Sequence, residues 1–409
     1  MIPVFSQEGG SPVSVKLSLC AIVKDEEDSL PQCLHSVKDV VDEMVILDTG
    51  STDRTVEIAR EFGARVYEFE WGNDFSAARN EALQNVLGEW VLVLDADEVL
   101  NGEILPQMRE AMEREDCVAI ALLREEVGAT QSPYSLTSRL FRRHPELYFT
   151  RPYHASIDDR AIALLQKEPY WQVVSLPSVA IFHYGYQASA IAGRDKFRRA
   201  KEAMEGFLAE HPKDPYTCSK LGALYLQEGN IQEGIELLER GLQATKIESP
   251  VLFELHYHLG NGYRQSQDVN RAARHYQKAL EQPIMPQLKL GAYNNLGSLL
   301  QGAGELKIAQ KIYQEALKID PTFTTGHYNL GMVLKAQGDL QGAIAAYQKA
   351  IQLNPDYAQA YQNLGVAWFK GGNVPESKKA FNRAIALYQT QNPQEAQRLI
   401  QGLKEMGLL

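Results

Sequence analysis

The sequence predicts an α/β domain with a mostly parallel sheet, followed by an all-α solenoid built from helix pairs. Two observations predict the first part. Short apolar runs, LSLCAIV at 17–23, MVILD at 44–48, ARVYEF at 64–69 and WVLVLD at 90–95, alternate with amphipathic stretches. Runs that are apolar at nearly every position read as strands buried on both faces, which is how a parallel sheet covered by helices looks. A third observation predicts the solenoid: from residue 221 onward a Leu-Gly pair recurs at a nearly constant interval.

Residues 1–16, MIPVFSQEGGSPVSVK, carry neither a strand nor a helix pattern and read as a flexible N-terminal segment. The α/β domain is expected over 17–187. After the first strand, Leu30, Leu34 and Val37 give helical spacing over 28–38; the second strand leads through TGSTD into a helix over 55–62, with Asp53 as its N-cap. A helix near 76–87 precedes WVLVLD. From 118 the pattern loosens into VAIALL, SRLFRRHPELYFTRPYH and WQVVSLPSVAIFHYGY, read as edge strands and active-site loops of the same domain. A linker helix is expected over 188–213.

The recurring pair stands at Leu221, Leu259, Leu296, Leu330 and Leu364, with spacings of 38, 37, 34 and 34 residues. With Gly at the eighth position, small residues near the twentieth and an aromatic near the twenty-fourth, this is the tetratricopeptide pattern. Five repeats are expected over 214–391. Small residues such as Gly331 and Ala343 let the helices of a unit approach, and Tyr313, Tyr347 and Phe381 fill the space between units. Residues 392–409 supply a helix to cap the last apolar edge.

Composition narrows the function classes. At 44% hydrophobic and 23% charged, the chain belongs with folded globular proteins rather than disordered ones. A net charge of -11 argues against a general polyanion-binding surface, so nucleic acid is not an expected partner, although a local basic pocket for one phosphorylated ligand survives. Cys20, Cys33, Cys117 and Cys218 show no metal-ligand or disulfide spacing and read as satisfied thiols. No stretch approaches the ~20 apolar residues of a membrane span. The expected setting is the cytoplasm, with peripheral membrane contact left open.

The chemistry gathers at strand ends. VLVLDADEVL, at 91–100, runs from an apolar strand into Asp95, Asp97 and Glu98. In an open α/β sheet the ligand crevice lies beyond the carboxyl ends of the strands, and Asp48 ends another of them. Paired carboxylates of this kind suit Mg²⁺ or Mn²⁺ bridging nucleotide phosphates; a helix-capping or loop role is the alternative. Asp48 can accept a hydrogen bond from a base N–H, beside a turn in which Gly50 and Ser51 let backbone approach a ligand.

AIVKDEEDSLPQCLHSV, MVILDTGSTDRTVEIA, FSAARNEAL and WVLVLDADEVL, in this order, resemble the nucleotide-sugar-binding half of family 2 glycosyltransferases with the GT-A fold, in a branch often fused to tetratricopeptide repeats. The resemblance spans roughly residues 17–200. It implies a Rossmann-like sheet, a nucleoside diphosphate sugar donor of the UDP type, and Mn²⁺ or Mg²⁺ as cofactor. It assigns Glu26 to the ribose or base, with Asp25 departing from the family's Asn; Asp48 to the base; Asp95 and Asp97 to ribose and metal; and Arg79 to the donor phosphates. His183, in HYGY, becomes a third metal ligand. Lys196, Arg198 and Arg199, and likewise Arg139 and Arg142, are candidates to neutralise the diphosphate, with a solvated basic face as the alternative; alternation is taken to turn the last two to one side.

Inverting transfer requires a carboxylate that takes the proton of the acceptor. Related chains commonly carry His-Glu where this one has His154-Ala155. Asp158 or Asp159 is the candidate base, with His154 orienting base or acceptor; the alternatives are a carboxylate from another loop or an impaired reaction.

Position six of the last three repeats is Asn295, Asn329 and Asn363, against Lys220 and His258 in the first two. Such a series can offer amides at regular spacing to a protein or peptide lying in the concave groove, with Tyr293, Tyr328 and Tyr361 nearby; polar cover of an exposed face is the alternative. The leading reading is a metal-dependent inverting glycosyltransferase acting on an acceptor held by its repeats. A weakened transferase domain serving as a scaffold, and a nucleotidyltransferase, are the rivals.

Overall fold

The computed structural model describes residues 16–129, 131–153, 155–185 and 190–408. Two compact units result: one holds the residues up to Glu210 apart from Ala129–Pro133, the other holds that short segment with His211–Leu409.

The first unit is a mixed α/β domain. In chain order it contains β1 (Leu17–Val23), α1 (Leu30–Val37), β2 (Glu43–Asp48), α2 (Thr55–Glu61), β3 (Arg65–Glu68), α3 (Phe75–Gln84), β4 (Trp90–Val93), β5 (Glu98–Leu100), α4 (Leu105–Glu113), β6 (Cys117–Glu126), β7 (Tyr134–Arg142), α5 (Asp158–Lys167), β8 (Gln172–His183) and α6 (Ala190–Glu210). One eight-stranded sheet runs in the order β3-β2-β1-β4-β7-β6-β8-β5.

β3, β2, β1 and β4 are parallel, as their apolar runs predict. Past β4 the sheet is mixed, because β7 runs antiparallel to β4 and β6, β8 parallel to β6, and β5 antiparallel to β8. The expectation of a mostly parallel sheet holds for β1–β4, β6 and β8 and fails for β7 and β5, whereas the expectation of edge strands after residue 118 is corrected. β7, β6 and β8 are interior; the edges are β3 and the short β5. CVAIALL of β6 is buried at every position, as a strand covered on both faces must be.

Helices cover both faces. On β1, Leu19 and Ala21 pack with Leu30 and Leu34 of α1 and Met108 of α4, while Cys20 faces Ala78 and Ala82 of α3 and Leu164 of α5. This is period-two alternation with apolar residues on either side. Since β1, β2 and β4 are parallel, their carboxyl ends open on one edge. Val23 pairs in register with Asp48, and Cys20 with Val93, so Asp48 and the turn after β4 flank β1.

The second unit is a helical solenoid: α7 and α8 (Pro215–Gln227, Ile231–Gly241), α9 and α10 (Ser249–Gln265, Val269–Leu280), α11 and α12 (Leu290–Gly302, Leu306–Ile319), α13 and α14 (Thr324–Gln337, Leu340–Leu353), α15 and α16 (Ala358–Lys370, Val374–Gln391), then α17 (Pro393–Glu405). Gly331 explains the repeat pattern, since a Cβ there would lie 2.6 Å from the Tyr347 ring. Tyr347 thus rests on the glycine of its own unit, and it also packs with Leu364 of the next. Phe381 lies with Leu403 of α17, so the last helix covers an apolar face. Among the described residues no helix is long and apolar enough to cross a membrane.

Candidate active site

β4 ends in a tight turn. The Glu98 N–H donates to the Asp95 carbonyl at 3.0 Å, and the Asp95 N–H donates to the Glu98 carboxylate at 2.9 Å. Glu98 is fully buried, with Arg124 at 2.7 Å and Arg139 at 3.6 Å balancing its charge. The two oxygens of Asp95 go to separate guanidiniums, one to Arg79 at 2.6 Å and the other to Arg139 at 2.8 Å. Burial pushes the Asp95 carboxyl up, but the Arg139 and Arg79 charges outweigh it and hold it well below the usual carboxylate range. Arg79 is buried, its guanidinium 5.3 Å from the centre of the Phe149 ring. Its Nε and Nη1 meet no hydrogen-bond partner among the described residues.

Asp97 faces another group. Its Oδ2 lies 3.2 Å from His183 Nε2, while His183 Nδ1 lies 2.5 Å from Glu126 Oε2. The parallel pairing of β6 with β8 sets Glu126 directly beside His183. Glu126 also accepts from Ser135 Oγ at 2.7 Å and pairs with Arg124 at 2.8 Å. Burial disfavours the charged imidazole, yet the bonds to Asp97 and Glu126 prevail and raise His183 to about 9. Glu126 falls to about 2, because the His183 bond and the Arg124 charge overcome its own burial. Gly185 closes over this pair: a Cβ there would lie 2.6 Å from His183 Nε2 and 2.9 Å from Asp97 Oδ2.

Across β1, an open cleft of about 680 Å³ is lined by Asp48, Gly50, Asp53, Glu68, Phe69 and Glu70 among others. Asp48 is buried, and its carboxylate accepts from the Gly50 and Ser51 N–H groups, shaping the turn that Gly50 makes at φ +96°. Asp25 sits at φ +52°, a conformation that Asp and Asn tolerate better than other side chains. Asp25 therefore holds the position without backbone conflict, and its Oδ1 accepts from the Thr52 N–H at 2.7 Å. Glu26 turns back to Ser29 Oγ. Asp53 accepts from the Thr55 N–H at 2.9 Å, but the N-cap of α2 is Arg54, so Asp53 bonds the first helical residue from one position further out than expected.

The remaining residues fall as follows. Arg139 and Arg142 do not share a side: they are three apart in a strand and so project to opposite faces, Arg139 to Asp95, Arg142 to Glu89, the Cys117 carbonyl and the Trp90 ring. Asp158 and Asp159 open α5 and are exposed. Asp159 pairs with Arg151, whereas Asp158 accepts from Ser156 Oγ. His154 lies outside the described residues, as do the side chains of Lys196 and Arg199. Arg198 is exposed, 3.8 Å from Glu202. The loop before α5 is bound to α3, since Asn80 Nδ2 donates to the Phe149 carbonyl and the Phe149 N–H to Asn80 Oδ1.

Arg124 and Glu126 escaped the sequence reading, and Glu98, noted there among the strand-end carboxylates, was given no role. The one available signal was the charged end REE of an otherwise apolar run at 117–126. All four cysteines are buried thiols, as expected.

In the repeats Asn295 is buried and donates to Asn261 Oδ1 at 2.9 Å. Asn329 donates to Asn294 at 2.8 Å, and Asn363 to the Tyr328 hydroxyl at 3.1 Å. The series therefore bridges repeats, with Asn329 and Asn363 half-buried and Asn295 withdrawn from any groove.

Among the described residues no three His, Cys, Asp or Glu side chains are placed together to hold a metal ion. The expected trio reduces to a pair. Asp95 is engaged by two arginines, leaving Asp97 Oδ2 and His183 Nε2 at 3.2 Å. Adjacent donors of an octahedron with bonds of about 2.1 Å stand about 3 Å apart, so the pair fits two neighbouring positions of Mg²⁺ or Mn²⁺, ions that commonly complete their shells with substrate phosphate and water.

Residues 18–174 match Glycosyl transferase family 2, and segments at 255–284, 290–323, 312–345 and 332–372 match tetratricopeptide repeats. The chain belongs to the family 2 glycosyltransferases and joins that domain to a C-terminal tetratricopeptide array. It is similar to the TPR repeat-containing protein Synpcc7942_0270 of Synechococcus elongatus, 44% identical over 306 residues, 75% of this chain and 76% of that protein. Glycosyltransferase SunS of Bacillus phage SPbeta is 30% identical over 233 residues, which is 55% of this chain and 53% of SunS. Among solved structures, YrrB, a TPR protein with an unusual peptide-binding site, is 20% identical, covers 49% of this chain and all of its own, and gives a TM-score of 0.40.

Proposed function

We propose that the chain transfers a sugar, with inversion, from a nucleoside diphosphate donor of the UDP type to a protein or peptide acceptor engaged by its repeats, using a GT-A-like site. The observation that carries this reading is the Asp97–His183 pair beside the arginine-flanked Asp95, at the edge where the parallel strands end. Asp97 and His183 would hold Mn²⁺ or Mg²⁺, which when bound supplies charge to stabilise the departing diphosphate. Arg79 brings buried donors lacking partners among the described residues, which an anionic oxygen would satisfy. Asp48 and Glu26 serve the base and ribose side, and Lys196 belongs with the phosphates. Asp158 is the preferred base, because Asp159 is engaged by Arg151; His154 orients it.

The test is nucleoside diphosphate release from a panel of nucleotide sugars with and without Mn²⁺. Release of UDP that requires Mn²⁺ and disappears in Asp97→Ala is expected. Ala155 and the pairing of Asp159 favour a second reading, a weakened domain that binds nucleotide as a scaffold. Nucleotide binding without turnover would select it, and pyrophosphate release would point to nucleotidyl transfer.

A further inference from the structure

We propose that Glu126 is a positioning residue for the transfer reaction, fixing the His183 ring so that Nε2, and not Nδ1, is the nitrogen offered beside Asp97. The inference rests on the reading of Asp97 and His183 as a donor pair. An imidazole has two nitrogens, and the partner of one decides which role the other plays. Here Glu126 Oε2 lies 2.5 Å from Nδ1, so Nδ1–H is the donor to Glu126 and Nε2 is left on the Asp97 side.

Glu126 is itself held. Ser135 Oγ donates to its Oε1, and Arg124 pairs with the same oxygen, leaving Oε2 for the imidazole. The backbone adds a second constraint, because Glu126 and His183 are register partners in the parallel pairing of β6 and β8. Gly185 permits this placement, since a Cβ there would lie 2.6 Å from His183 Nε2 and 2.9 Å from Asp97 Oδ2. Arg124 reaches Glu98 as well, so this support is continuous with the buried turn that presents Asp97.

The experiment measures Mn²⁺ binding to the full chain by electron paramagnetic resonance, with and without UDP, in wild type, Glu126→Gln, Glu126→Asp, His183→Ala and the Glu126→Gln/His183→Ala double variant. Glu126→Asp keeps the charge opposite Arg124 while withdrawing the carboxylate from the ring, and so guards against a folding defect in the amide variant. Either Glu126 variant is expected to weaken Mn²⁺ binding by about tenfold or more at an unchanged circular dichroism spectrum. In the His183→Ala background the Glu126 change should have no further effect, as befits a residue acting through the ring. Wild-type affinity in both folded Glu126 variants, or an equal loss with and without His183, overturns the inference and leaves the donor pair standing. Wild-type protein that takes up no Mn²⁺ with or without UDP overturns the donor-pair reading, and the role of Glu126 falls with it.

Discussion

Gly185 is the residue on which the site is least tolerant. A methyl group there would sit 2.6 Å from the His183 ring, closer than any real Cβ contact. Gly185→Ala is expected to lower Mn²⁺-dependent turnover by about tenfold or more while leaving the circular dichroism spectrum unchanged; full activity would mean that the ring does not need its present position. At this scale the sequence was partly legible. Asp97 and His183 were singled out through the family's motifs, and they do meet. Asp95 was read as their companion, but Arg79 and Arg139 approach it from α3 and β7, and contacts across so many residues leave no local trace. Glu126 was missed for the same reason, since its tie to His183 depends on which strand β8 pairs with.

Among the elements, the helix pairs were the most legible, because all repeat the same glycine position and all but the first, which has Leu238, repeat the aromatic that meets it. The hydroxyls on those aromatics were not foreseen. Tyr276 donates to Asn261 at 2.8 Å, yet the Tyr313 and Tyr347 hydroxyls are buried with no partner among the described residues, and the equivalent Phe381 has none to satisfy. Tyr347→Phe should therefore raise stability by about 1 kcal/mol and Tyr276→Phe should lower it by about as much; urea midpoints moving in the same direction would refute the distinction. A second expectation concerns α9 and α10. His256 is buried with its Nδ1 3.1 Å from His275 Nδ1. Burial first, then the charges of His275 and Lys278, pull His256 down from 6.5 to about 4. A depressed histidine binds its proton more readily when unfolded, so stability declines as pH falls from about 6.5 toward 4, by at most about 1.4 kcal/mol per pH unit. Denaturant melts at pH 7 and pH 5 should show a smaller difference in His256→Gln than in wild type.

For the molecule as a whole, the division of labour between an α/β domain and a helical array was apparent from the two kinds of periodicity, whereas the mixed half of the sheet was not. Strand direction beyond β4 is decided by long-range pairing, and apolar runs read alike in either direction. If catalysis belongs to one unit and acceptor engagement to the other, they should be separable by mutation. Replacing Asn329 and Asn363 together by Ala should reduce transfer to an acceptor more than hydrolysis of the donor, measured side by side on the full chain. Equal losses would count against an acceptor role for those amides.

The seating of Tyr313 on Gly297 and of Tyr347 on Gly331 joins the two helices of a single unit. Each copy of the motif thus carries lock and key together. Duplicating or deleting one copy in the gene would hand its neighbours an equivalent surface, so the length of the array can be adjusted in whole increments without redesigning the interior.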